Sequence, residues 1–304
     1  MSEEKFEQVF QVSGQAHLIV KNIRGSVDIQ TGEDGTIQVT AIKHSDSGDP
    51  KRTEVELTQD SDGAVKAISR FPEGSIDWLF GHQPCKVDFV IKAPRQCALK
   101  VNGVSNTVLA AGFEGDVSVN SVSGEITLRD LKGSLRIHTV SGDADGERIA
   151  GSLVLETVSG DVVLKESVLL SVKANTVSGD LRIHTSLTEG PYDFRSVSGD
   201  VRLTVPPETH CTGELHSVSG DLVSAFPVTA YSRHHGSQLV AVQGGGVKIA
   251  LHSVSGDLSL DCDGEIPPAL EPVKTISSKE RRAVLERVEH GELSVDEALS
   301  QLHV

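Results

Sequence analysis

The stretch Thr157-Val158-Ser159-Gly160-Asp161 decides the fold, because close variants of it recur along the chain. Seven copies share a Ser or Thr, then Val-Ser-Gly, then an acidic residue: 121–125, 139–143, 157–161, 176–180, 196–200, 217–221 and 253–257. The valines of successive copies are separated by 18, 18, 19, 20, 21 and 36 residues. A period near 20 residues predicts stacked units that bury an apolar core only together.

Each copy is flanked by residues that alternate between apolar and polar, as in Leu135-Arg136-Ile137 and Leu181-Arg182-Ile183. Alternation is the period of a half-buried strand, and Ser-Gly is a turn signal because glycine accepts positive φ. We expect an all-β fold, a β-solenoid resembling a β-helix, with coils of 18–21 residues stacked about 4.8 Å apart. Two stacked sheets with antiparallel pairing would give the same pattern and remain the alternative.

Stacking would place identical residues in rows. We expect the repeated valines inside, and the serines and acidic residues at a corner. Calcium would offset the repulsion between stacked carboxylates, but the dense nonapeptide motif of calcium-binding repeats is missing. Hydrogen bonds from turn N–H groups, with Arg182 and Arg202 nearby, are the favoured explanation. The acidic row comprises Glu125, Asp143, Asp161, Asp180, Asp200, Asp221 and Asp257.

The patterning divides the chain into four regions. Residues 1–103 are expected to form an irregular β cap, 104–262 the regular repeats, 263–276 a linker and 277–304 a two-helix hairpin. Within the first region, Ile23–Ile29 already has the shape of a repeat. The interval 225–248 interrupts the period, and is either a coil without its phrase or a long hairpin that leaves the stack.

Two apolar segments are candidate partner-binding sites. Trp78, Leu79 and Phe80 lie in a loop that either folds over the end of the core, the favoured interpretation, or forms an exposed docking patch. In the C-terminal hairpin, capping boxes precede apolar residues at helical spacing, including Leu285, Val288, Leu299 and Leu302. Because two short helices are unstable alone, they are expected to bind the stack, a protein partner or a second copy.

Composition narrows the function classes. The net charge of −15 over 304 residues argues against binding to a nucleic-acid backbone. No apolar signal-peptide core and no membrane-spanning run is present, so we expect a cytoplasmic protein that reaches the membrane only through a partner. The four cysteines lack CxxC spacing and predict neither a metal site nor a disulfide framework: Cys85, Cys97, Cys211 and Cys262.

Residue types used in catalysis or metal binding are present, but their pattern favours structural roles. A nucleophile needs a unique serine beside a base, whereas the Ser-Gly turn recurs in every repeat. His216 and His252 share an outward position and could bind a metal with His234 or His235, although solvated polar residues are favoured. We expect no catalytic residue, no metal and no cofactor.

The repeated phrase and the opening Val20-Lys21-Asn22-Ile23-Arg24-Gly25-Ser26-Val27-Asp28-Ile29 resemble the bacterial adhesin-type β-strand-repeat family, whose domain is also called toastrack. The resemblance covers roughly residues 12–262, and the tail 288–298 is similar to the helical hairpin of Lia-type members. It implies a non-enzymatic protein of Lia-type and phage-shock-type envelope-stress operons that acts through protein contacts. No catalytic residues carry over from it.

Three functions fit these observations. The favoured one is an interaction scaffold that displays the surface of the stack. A carbohydrate-active β-helix enzyme is an alternative, and it predicts clustered, non-repeated acids in a cleft. A surface adhesin is the other alternative, and it would need export from the cell.

Overall fold

The structure is a computed structural model that describes residues 3–72, 83–234 and 236–264. These ranges contain twenty strands and no helix. The N-terminal strands are β1 Glu3–Gln11, β2 Ala16–Thr31, β3 Thr36–His44, β4 Glu54–Gln59, β5 Val65–Arg70, β6 Lys86–Ala93 and β7 Cys97–Ala111. The central strands are β8 Val117–Ser123, β9 Ile126–Ser141, β10 Ala144–Ser159, β11 Val162–Ser178, β12 Leu181–Leu187, β13 Tyr192–Arg195 and β14 Val201–Val205. The last strands are β15 Cys211–Ser219, β16 Leu222–Ser224, β17 Val228–His234, β18 Ser237–Val242, β19 Val247–Ser255 and β20 Leu258–Cys262.

Equivalent strands of successive repeats pair in parallel. Leu153 of β10 lies beside Leu135 of β9, and Leu155 of β10 lies beside Ala174 of β11. These offsets equal the spacing of the repeated phrase, so each repeat pairs with the same part of the next. β13 and β14 continue the parallel pairing from β11 and β12. The antiparallel alternative is therefore wrong for these repeats.

The long strands β9, β10 and β11 each bend once, so that their two halves enclose one core. In β9 the bend contains Asp130 with φ 52° and Gly133 with φ 134°, and β10 bends one repeat later at Arg148 with φ 54°. Both halves contribute to a continuous apolar cluster that extends from Phe10 to Leu260. The repeated phrase turns the chain at the other corner, between one long strand and the next.

The repeated valines point outward, which corrects the row that the sequence analysis placed inside. Their side chains are 39–86% exposed, whereas Thr139, immediately before Val140, is fully buried. β9 continues without interruption from Ile137 through Ser141, so the period-2 alternation of the strand also orients the first residues of the phrase. Ile137 and Thr139 face the core, and His138 and Val140 therefore face solvent. Strand alternation, rather than side-chain polarity, decides this orientation.

Glycine is required in the phrase because neighbouring backbones come very close there. A Cβ on Gly160 would lie 2.4 Å from the carbonyl oxygen of Gly142, and a Cβ on Gly179 would lie 2.4 Å from that of Gly160. The same approach recurs at Gly199 and Gly256. Real Cβ atoms do not tolerate such distances, so only glycine lets successive phrases stack at strand spacing.

The parallel stack begins earlier than the sequence analysis placed it. β2 pairs in parallel with β7 from Ala16 beside Cys97 to Gln30 beside Ala111, and the boundary predicted at residue 103 lies inside β7. β5 and β6 pair in parallel with the two halves of β2. Antiparallel strands β4, β3 and β1 then complete this end. β2 lacks the Val-Ser-Gly phrase but pairs as a repeat, and it contains the repeat-shaped segment Ile23–Ile29.

The last two repeats stack in the reverse of chain order. β13 and β14 pair with β19 and β20, and β15 and β16 pair with the outer sides of β19 and β20. The phrase at 253–257 therefore lies between those at 196–200 and 217–221. Within the interval 225–248, β17 and β18 form a hairpin, as one of the two predictions had it, but β18 pairs antiparallel with β15, so the hairpin continues the stack instead of leaving it. The spacing of 36 residues thus arises because the chain forms the β17–β18 hairpin at the end of the stack before it returns as β19 and β20.

Several predicted features lie outside the described residues. They are the linker beyond Gly264 and the two-helix hairpin at 277–304. Among the residues that the structure describes, no helix is long and apolar enough to cross a membrane.

We predict that Gly160→Ala lowers the free energy of unfolding by about 3 kcal/mol, because the added methyl group meets the backbone of the neighbouring repeat. Gly213→Ala is the matched control, since the nearest atom there is a Leu260 methyl group at 3.2 Å. The control should change the free energy by less than about 1 kcal/mol. Urea unfolding followed by circular dichroism measures both. Equal effects of the two substitutions would contradict the close stacking of the phrases.

Candidate interaction surface

The outward valines form one line along the stack, which we call the valine row. In stacking order it comprises Val104, Val122, Val140, Val158, Val177, Val197, Val254 and Val218. Each side chain is at least 39% exposed, and the terminal Val218 is 86% exposed. At a strand spacing of about 4.8 Å, the eight residues span roughly 34 Å. Single exposed apolar residues are ordinary, but a contiguous apolar row of this length is typical of an interaction site.

At two repeats the serine after the valine is hydrogen-bonded to the neighbouring repeat. The Ser123 hydroxyl donates to the carbonyl oxygen of Val104 at 3.1 Å, and the Ser141 hydroxyl donates to that of Val122 at 3.4 Å. These bonds join neighbouring repeats at the corner. At these two repeats a partner that contacts the row therefore meets methyl groups beside hydroxyls that already have acceptors within the protein.

A polar row lies two residues before the valines. Its members contact one another: Asn120 Nδ2 donates to Asn102 Oδ1 at 3.2 Å, and His138 Nδ1 lies 3.1 Å from Glu156 Oε2. In stacking order the row comprises Asn102, Asn120, His138, Glu156, Asn175, Arg195, His252 and His216. It gives one flank of the valine row a mixed charge.

The two candidate metal-binding histidines of the polar row are stacked neighbours. The rings of His216 and His252 are 4.8 Å apart and lie within 6° of parallel, so their nitrogens lie in parallel planes rather than converging on one ion. His235 and the side chain of His234 lie outside the described residues. Within the described part of the chain, no three His, Cys, Asp or Glu side chains form a group that could hold a metal.

The acidic row lies on the other side of the valines and is tied to the backbone. The backbone N–H of Asp161 donates to Asp143 Oδ1 at 2.9 Å, and that of Asp180 donates to Asp161 Oδ1 at 2.9 Å. The pattern continues to Asp200 and then through Asp257 to Asp221, which follows the stacking order. Each of these carboxylates except the terminal one thus receives a bond from the next repeat. This is the contact that the sequence analysis favoured over a cation.

Arginines contribute to the acidic row unevenly. Arg182 lies 2.8 Å from Asp180 and 3.5 Å from Asp161. Arg202, which the sequence analysis placed near the row, instead pairs with Asp261 at 3.2 Å. Most of the row therefore presents exposed negative charge along the second flank of the valines.

A Ser, an Asp and a His meet at the N-terminal end, but in an order that does not activate a nucleophile. The Ser26 hydroxyl donates to Asp88 Oδ1 at 2.7 Å, and His44 Nε2 contacts Asp88 Oδ2 at 2.7 Å. Burial raises the pKa of Asp88, but the hydrogen bonds from Ser26 and His44 outweigh burial and hold that pKa below its ordinary value. In a catalytic triad the imidazole stands between Ser and Asp, whereas here the carboxylate stands between. The cluster ties β2, β3 and β6 together.

The cysteines also lack the features of reactive thiols. All four are free, and Cys85, Cys97 and Cys211 are buried. Burial raises the pKa of Cys97 to about 12 and that of Cys211 to about 11. A thiol with so high a pKa is not a nucleophile near neutral pH.

Two adjoining clefts lie on the outer face of the N-terminal strands, with volumes of about 400 and 670 Å³. They share Lys21, Ile68, Arg70 and Asn102. The acids of the smaller cleft are paired, because Glu56 lies 2.6 Å from Arg70 and Asp60 contacts Lys66. A glycosidase needs one acid to give a proton and a second to act as base or nucleophile. Carboxylates held by cations do not offer that pair.

The other predicted partner-binding residues fall on parts of the chain outside the described residues: Trp78, Leu79, Phe80, Leu285, Val288, Leu299 and Leu302. The valine row was not predicted as a surface, because an apolar residue that recurs in every repeat is the pattern expected of a core. Continuing the alternation from Ile137 to Val140 would have found it.

We predict that Asp143→Ala lowers the free energy of unfolding by about 1 kcal/mol, because the N–H of Asp161 loses its acceptor. Asp143→Asn keeps an oxygen in place and should cost less than half as much. Adding about 1 mM calcium should leave the thermal midpoint of the unaltered protein unchanged. A midpoint that rises with calcium, and no longer does so in Asp143→Asn, would show that the row binds the cation.

Comparison with known proteins gives the family. No curated protein sequence matches the chain. Solved structures resemble it, and three of them bear the name "putative adhesin". The one from Bacteroides fragilis is 11% identical with a TM-score of 0.52, and the match covers 85% of this chain and 98% of that one. The one from Parabacteroides merdae is 10% identical with a TM-score of 0.47, and the match covers 86% and 97%. The family described as Toastrack DUF4097 matches residues 15–261, and this chain belongs to it.

Proposed function

We propose that this chain is a non-enzymatic β-solenoid scaffold that binds protein partners in the bacterial envelope-stress response. The observation that carries the proposal is the valine row, an apolar line about 34 Å long on a continuous parallel stack. Parallel pairing at one-repeat spacing and a single core support the solenoid description. The toastrack resemblance supports the link to envelope stress.

The valine row suits an extended partner. Its methyl groups repeat at strand spacing, so a strand or helix lying along it would bury apolar side chains at several successive repeats. The acidic row on one flank and the mixed polar row on the other would fix the orientation of a partner with a basic edge. Backbone pairing already holds every repeat of the stack in place. Binding a partner along the valine row therefore costs little conformational entropy.

The placement of the protein in the cytoplasm belongs to this proposal, with contact to the membrane made through the partner. The carbohydrate-active alternative is disfavoured by the paired acids of the smaller N-terminal cleft and the even spread of carboxylates along the stack. The adhesin alternative draws on the names of structural relatives, and those relatives are only 10–11% identical.

The proposal predicts that a polar valine row loses the partner. Val140→Thr, Val158→Thr and Val177→Thr together keep the β-branched shape but replace exposed methyl groups with hydroxyls. In a pull-down from detergent-solubilised source cells, grown with and without a cell-wall-active antibiotic, the triple variant should retain at least tenfold less of the partner than the unaltered protein does.

The control triple variant carries the same substitution at exposed valines outside the row: Val90, Val168 and Val223. It should retain the partner at the unaltered level, and both variants should unfold at the same temperature. Equal losses in both variants would contradict the assignment of the row. Release of reducing ends from a polysaccharide by the unaltered protein would overturn the non-enzymatic proposal itself.

A further inference from the structure

We propose that two copies of this chain form a symmetric dimer by pairing β17 of one copy antiparallel with β17 of the other. β17 lies at the C-terminal end of the described stack, whereas the valine row runs along its length. The dimer does not depend on the proposed function, since self-association and partner binding are measured separately.

β17 is an open edge of the sheet. It pairs with β18 on one side, and no described strand pairs with its other side. The residues from Val228 to Arg233 are all exposed, including Val228 at 44% and Tyr231 at 56%. A strand with a free row of N–H and C=O groups is a template for pairing with another chain.

The two larger apolar side chains of β17 lie on the face that continues the core. Tyr231 stands opposite Val240, and Val228 stands opposite Val242. Residues directly opposite in an antiparallel pair share a face, and both valines of β18 are buried. Val228 and Tyr231 therefore extend the inner face beyond the point where the core ends, and they remain uncovered.

The core itself is already closed beneath β17. Gln238 Oε1 accepts from the N–H of Leu222 at 3.2 Å, and its Nε2 donates to the carbonyl of Gly220 at 2.8 Å. Phe226 fills the remaining space and is only 3% exposed. Since the end of the stack is sealed without them, Val228 and Tyr231 are not needed to close the core of their own chain.

The edge strands β1 and β4 at the other end of the described sheet show which partner fits. β1 contains Glu3, Glu4, Lys5 and Glu7, and β4 contains Glu54 and Glu56. Charged residues on edge strands block pairing with other chains. β17 has no charged residue from Val228 to Ser232. A head-to-tail contact would press it against an acidic edge, whereas a second β17 offers a strand of the same length whose first five residues are uncharged.

The register follows from symmetry. β17 runs from residue 228 to 234, so full overlap of two antiparallel copies places the two-fold axis at Tyr231. Tyr231 then meets Tyr231 of the second copy, Ala230 meets Ser232, and Thr229 meets Arg233. No like charges stand opposite one another, and the two exposed tyrosines cover each other on the inner face.

Sedimentation velocity of the full chain over a concentration series tests the proposal. The unaltered protein should approach twice the 32.3 kDa of one chain as its concentration rises. Tyr231→Glu places two carboxylates opposite each other and should weaken dimerisation at least tenfold. Tyr231→Phe, and Val9→Glu on the already charged strand β1, should leave dimerisation unchanged. A monomer at about 100 µM, or a dimer that Tyr231→Glu does not weaken, would overturn the proposal.

Cross-linking tests the register independently. In a Cys262→Ser background, which removes the one native cysteine that is not fully buried, Tyr231→Cys should form a disulfide-linked dimer on mild oxidation. Val9→Cys is the control, because Val9 is 58% exposed on an edge that should not self-pair. Cross-linking at both positions, or at Val9 alone, would contradict pairing through β17.

Discussion

The contact between glycine backbones of neighbouring repeats is the constraint on which the rest of the structure depends. Each phrase turns the chain one strand spacing from the turn of the neighbouring repeat. The carbonyl oxygen of the neighbouring glycine then lies where a Cβ on the phrase glycine would be. Only glycine meets that condition, so it recurs wherever the stack is regular. Once the turns are in register, the flanking strands pair in parallel and their apolar residues meet in one core.

The surface follows from the same constraint. Because every turn has the same geometry, each position of the phrase becomes a row along the molecule. Most of the row before valine is buried, the valine row is exposed, and the acidic row accepts backbone N–H groups from the next repeat. A row of like charges is thereby tied into the stack by hydrogen bonds that offset its repulsion. An apolar row between two polar ones is a surface suited to extended partners.

Much of this architecture could be predicted from the sequence, because repeat spacing and alternation are local signals. The phrase predicted parallel stacking, and the resemblance predicted the toastrack family, which is confirmed. The predicted orientation of Val140 was wrong, because it was based on the apolar character of the side chain and not on the alternation that runs through β9. The reversed stacking of the last repeats was not accessible, because it depends on which strand edge is free. The segment Ile23–Ile29 showed the shape of a repeat, but the full length of β2 and its pairing with β7 emerge only in the structure.

The order and register of the stack can be measured directly by pairing cysteines on exposed serines of three phrases. Ser198 lies beside Ser255, and Ser255 lies beside Ser219. Neighbouring positions are about 4.8 Å apart and second neighbours about 9.6 Å apart, whereas a disulfide requires Cα atoms closer than about 7 Å. The account predicts that Ser198→Cys with Ser255→Cys cross-links within one chain and that Ser198→Cys with Ser219→Cys does not. The opposite result would show that the repeats stack in chain order and would contradict the structure described.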